Sequence, residues 1–132
     1  MMHLSSSVLT LGALAGIGCG ALLGFIVISY DGGSTALPPL QEGKISIMLT
    51  DDGYVPRDVR ITRGSIVEFS TTRDRPHWPA SNLHPDHSIY SEFDPKRPLE
   101  PAEVWSFTFD RPGVWNYHDH IRSYFTGRIY VE

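Results

Sequence analysis

Five of the six histidines in this chain fall into two short stretches, and neutral imidazole is the side chain that most often holds copper or zinc. His77, His84 and His87 form the first group, His118 and His120 the second, while His3 stands apart near the start. His118 and His120 end the aromatic run GVWNYHDHI. On a strand, residues two apart face the same side, about 7 Å from one another, so both rings can converge on one ion. His84 and His87 flank Pro85 with a spacing that lets a turn present two ligands. Asp119 must point to the opposite side, toward Trp115 and Tyr117, where a carboxylate is costly unless paired or bonded. Two roles are open to it: a further ligand, or a group that orients a histidine from behind. The candidate metal ligands are therefore His77, His84, His87, His118 and His120, with Asp119 beside them. Trp78, Trp105 and Trp115 read as core and site-wall residues. No residue is assigned a catalytic role.

Elements that could position these groups are legible downstream of Lys44. Apolar residues alternate with polar ones at Ile45, Ile47 and Leu49, at Val59 and Ile61, at Val67 and Phe69, at Trp105, Phe107 and Phe109, at Trp115 and Tyr117, and at Ile129 and Val131. Period two over short runs, broken at Asp52-Gly53, Arg63-Gly64 and Pro112-Gly113, signals strands joined by turns. No stretch supports a long amphipathic helix. The expected fold is all-β, a Greek-key sandwich over residues 44–132. The first histidine group lies in Thr72–Pro101, where six prolines in thirty residues argue against a sheet and for a long ordered loop.

The amino-terminal quarter differs. Val8–Ile28 is an uncharged apolar run of 21 residues, long enough as a helix to cross a hydrocarbon core of about 30 Å. Residues 1–30 are read as a membrane anchor, or as a signal segment if cleaved near Ser34 and Ala36, and residues 31–43 as a flexible linker. No Lys or Arg flanks the run closely enough to orient it. The carboxy-terminal domain is expected to be extracytoplasmic. Gly12, Gly16, Gly20 and Gly24 recur every four residues and would let a second helix approach. The only cysteine, Cys19, lies within this run, so residues 44–132 contain neither a disulfide nor a thiolate ligand. Eleven basic residues against 15 acidic ones, with no basic run, leave no electrostatic footprint for nucleic acid.

Taken together, these segments resemble the cupredoxins. SIVEFSTTRDRPHW, Ser65–Trp78, is similar to the strand and loop that deliver the first copper histidine in that family, at His77. FTFDRPGVWNYHDHI with the later Gly127 is similar to the second ligand loop, Gly113 opening one strand and Gly127 starting the last. In blue-copper members a cysteine follows the opening glycine by six residues, and that count lands on Asp119. HDHI likewise resembles the His-Cys-His-Ile of multicopper oxidases, with Tyr124 at the place of a further histidine. The resemblance implies a copper protein without the Cu–S bond that defines a blue site. It implies copper, with zinc as the alternative, held at a histidine-rich site for binding, trafficking or protection. Two other readings stand beside it: a copper-dependent oxidoreductase with an open position, and a metal-free interaction module. A redox or copper-trafficking partner is left unspecified.

Overall fold

The computed structural model describes residues 36–132. Nine strands occur among them: β1 (Leu40–Gln41), β2 (Lys44–Leu49), β3 (Tyr54–Val55), β4 (Asp58–Ile61), β5 (Ser65–Thr71), β6 (Pro79–Ser81), β7 (Trp105–Phe109), β8 (Gly113–Asp119) and β9 (Arg122–Val131). They form two sheets, in the orders β1-β4-β9-β8-β6 and β3-β2-β5-β7. Both are mixed. β1 and β9 each run parallel to β4, and β2 runs parallel to β5, while the remaining neighbours are antiparallel. The only helical element among the described residues is a 3₁₀ turn, Ser88–Tyr90.

Alternation explains the core. In β2 the residues Ile45, Ile47 and Leu49 are buried while the intervening ones are exposed, and β4, β5 and β9 show the same inward set. The inward faces of the two sheets meet over Ile47, Leu49 and Phe69 on one side and Val59, Ile61, Tyr117 and Ile129 on the other. Tyr90 and Phe93, from the loop between β6 and β7, complete this cluster. Phe93 stacks on Trp105 with ring centroids 5.8 Å apart, which pins the histidine-bearing loop to the core.

Three features depart from the sequence reading. β1 falls inside 31–43, where composition alone suggested only a linker. The proline-rich stretch contributes β6, an edge strand; its Pro79 sits at the first position, where a missing N–H costs no interior ladder bond. Gly127 lies in the middle of β9, which starts five residues earlier. A Cβ there would collide with the Arg57 carbonyl and the Tyr117 ring, so glycine is required by the close approach of Tyr117. The apolar run Val8–Ile28, with Cys19 and the glycine series, lies outside the described residues. Among the described ones no helix is long and apolar enough to cross a membrane.

Candidate metal centre

Four of the five candidate histidines come together. One nitrogen from each of His84, His87, His118 and His120 lies within 4.8 Å of all the others. His118 comes from the end of β8, at a register shift between His118 and Asp119 that releases the chain toward His120. His84 and His87 come from the loop after β6, and β6 itself is paired to β8 with Ala80 opposite His118. The edge strand thus sets the loop beside the second histidine pair.

The hydrogen bonds identify the facing nitrogens. His87 Nδ1 donates to Asp94 Oδ2 at 2.6 Å, and His118 Nδ1 donates to Asn82 Oδ1 at 2.9 Å. In a neutral ring this leaves Nε2 of each as the atom with a free lone pair. His87 Nε2 lies 2.8 Å from His120 Nδ1, and His118 Nε2 lies 3.2 Å from His84 Nδ1. Nitrogens bound at about 2.0 Å to one ion are about 2.8 Å apart at neighbouring corners of a square and about 3.3 Å apart at corners of a tetrahedron. Each spacing matches one of these geometries, and the set as a whole, within 4.8 Å, is wider than the about 4.0 Å between opposite corners of a square, so the rings must draw inward to share one ion.

Electrostatics keep two of the donors, His118 and His120, neutral. Burial pushes His118 down to about 4, helped by repulsion from the His87, His84 and His120 rings. His120 is lowered too, by burial first and then by His87 and His84. Asp94 behaves in the opposite sense. Burial alone would raise it, but hydrogen bonds from His87, from Trp78 Nε1 at 2.8 Å and from Lys96 outweigh burial and hold the carboxyl well below its usual range. An ionised Asp94 therefore fixes the tautomer of His87, the role carboxylates play behind metal-bound histidines. The backbone of His87 is itself left-handed, with φ at 53°, a costly conformation kept by its N–H bond to Leu83 O.

Trp78 joins these parts. Its ring lies on His120 with centroids 4.3 Å apart, and its carbonyl accepts the His120 N–H at 2.7 Å. Its own N–H donates to Asp119 Oδ1 at 2.7 Å.

His77 and Asp119 stand outside the group of four, and the parity of extended backbone accounts for both. Because Trp78 faces His120, His77 faces the interior; because His118 faces the loop, Asp119 faces inward as well. His77 is fully buried, bridged through its backbone to Leu99, and neither ring nitrogen has a hydrogen-bond partner. Burial lowers its affinity for a proton. Asp119 is also fully buried; Arg122 Nη1 donates to its Oδ2 at 3.3 Å and to the Pro76 carbonyl at 3.2 Å. A guanidinium thus sits against the carboxylate at the position where the resemblance would put a cysteine.

Asp94 and Asn82 are functional residues that sequence reasoning misses. Asn82 is two residues before His84 and continues the β6 ladder through a bond to Asn116 O, which aims its amide at His118. Asp94 is seven residues past His87, a separation that carries no periodic signal in a loop.

No family profile and no curated protein sequence matches the chain. Solved structures do. A purple cupredoxin from Nitrosopumilus maritimus aligns with a TM-score of 0.58 at 20% identity, covering 67% of this chain and 99% of that one. A single-site mutant of amicyanin in its reduced state aligns with a TM-score of 0.58 at 19% identity, over 68% of this chain and 83% of its own. A copper-containing nitrite reductase from Thermus scotoductus SA-01 gives 0.55 at 23% identity, over 76% of this chain but 24% of the enzyme. At these identities the likeness is one of fold, and it agrees with the resemblance carried by the two histidine segments: the domain has the cupredoxin fold.

Proposed function

We propose that this protein is a membrane-tethered, extracytoplasmic cupredoxin-like domain that binds copper at a thiolate-free site made by His84, His87, His118 and His120. Its role is to bind, carry or sequester copper outside the cytoplasm, with Val8–Ile28 as the tether. One observation carries the reading: four imidazole nitrogens within 4.8 Å, two of them oriented by Asp94 and Asn82. The cupredoxin fold favours copper over zinc, because the solved structures it resembles include proteins described as copper-bound. The absence of cysteine from residues 36–132, which leaves no partner there for a Cu–S bond, supports a site unlike the blue one. His77 is left out of the ligand set because its ring faces the interior with Asp119.

The bound ion would supply an exchangeable charge centre, while the protein supplies its geometry. Asp94 and Asn82 hold two rings in the required tautomers. Trp78 covers His120, and burial keeps His118 unprotonated at neutral pH.

Titration of the metal-free full-length chain with Cu(II) tests the reading. It should take up one equivalent, and the double variant His87→Ala/His118→Ala should take up none. Uptake by the double variant equal to that of the wild type would contradict it.

A further inference from the structure

The four histidines are not held alike. His87 is 2% exposed and tied to Asp94; His118 is 3% exposed, built into β8 and tied to Asn82. His120 is half-buried, with its ring on Trp78 and its N–H on the Trp78 carbonyl. Each of these three is fixed by a group outside the cluster. His84 is exposed, and the hydrogen-bond contact of its ring is the one to His118 Nε2. The chain around it is open as well, with Leu83 57% exposed and Pro85 and Asp86 exposed. A side chain so placed keeps its rotamer freedom, whereas its three partners have already lost theirs.

We infer that His84 is the exchangeable ligand of the group, the one that departs first and opens the position through which the metal is passed to an incoming nitrogen or oxygen donor. This rests on the copper reading above and adds direction to it. His84 packs on both His118 and His120, with ring centroids 5.2 and 4.6 Å apart, so its departure uncovers the solvent side of those rings. With copper bound, the step would be a ligand exchange in which a donor of the acceptor replaces the His84 ring, with no electron changing hands. His87, His118 and His120 keep their orientation throughout, because Asp94, Asn82 and Trp78 do not depend on His84. The acceptor chemistry that fits is a chelating imidazole, amine or carboxylate group presented at an exposed loop.

Transfer of copper from the loaded full-length chain, kept in detergent, to EDTA reads this directly, with azide as a probe of an open position by electron paramagnetic resonance. In the wild type the transfer rate should rise with EDTA concentration. His84→Ala should retain copper with about a tenfold loss of affinity, transfer it at least about tenfold faster, and bind azide at lower concentration. Removing a fixed ligand, in His87→Ala, should instead cost about a hundredfold or more in affinity, at or beyond the upper end of what loss of an orienting group costs. Transfer from His84→Ala no faster than from the wild type, or an affinity loss equal to that of His87→Ala, would overturn the assignment while leaving the copper site standing. A wild-type chain that takes up no copper would overturn both.

Discussion

At the scale of single residues, the site depends on groups that never touch a metal. Asp94 accepts from His87, Trp78 and Lys96 together, so it links two walls of the cluster through one carboxylate. Asp94→Ala should lower copper affinity about 10- to 100-fold, measured by competition with a chromophoric chelator, while Lys96→Ala should change it far less. Protons provide a second test, this time on the metal-free chain. His118 titrates in the fold at about 4 rather than near 6.5, facing His84, His87 and His120 with only Asp94 to favour its charge. The unfolded chain therefore takes up a proton below pH 6.5 that the folded chain refuses until about pH 4. Stability should fall across that window by up to about 3 kcal/mol, and His118→Gln should flatten the fall in urea midpoints.

At the scale of elements, the arrangement follows from which strands are edges and which side of a strand each residue takes. The core strands are legible in the sequence because period two is a strong signal where one face is buried, as in Ile45, Ile47 and Leu49. β6 is not, because proline opens it and its three residues are too short to show a period. The histidine cluster is legible as a composition but not as a geometry. His77 and Asp119 can be sorted from the group of four only once Trp78 and His118 have been placed, since the parity of two separate segments decides it. Gly127 shows the same limit. Its place within β9 reflects the ring of Tyr117 passing over it, a contact between strands that local sequence does not encode. Gly127→Ala should destabilise the domain by about 3 kcal/mol, because both colliding groups belong to packed segments, with chemical denaturation as the measurement. If the strand can shift to admit a methyl group, the loss will be under about 1 kcal/mol.

Across the described residues, a sandwich with the cupredoxin fold carries an ion pair and a histidine cluster at one end. Arg122 and Asp119 form an internal ion pair beneath the β8–β9 turn, and the histidines gather instead on the outer side, where the loop after β6 meets His118 and His120. The histidine cluster thus lies where that loop meets the end of β8, with the aromatic core around Phe69, Phe93 and Trp105 as support. In the function proposed above, those four imidazoles, and no thiolate, hold one copper ion. Electron paramagnetic resonance of the chain loaded with one equivalent of Cu(II), together with its visible spectrum, tests it most directly. Hyperfine structure from three or four nitrogen ligands should appear without an intense sulfur charge-transfer band, and should be altered in both His118→Ala and His120→Ala. A signal with no nitrogen couplings, or one that is unchanged by those substitutions, would contradict the account.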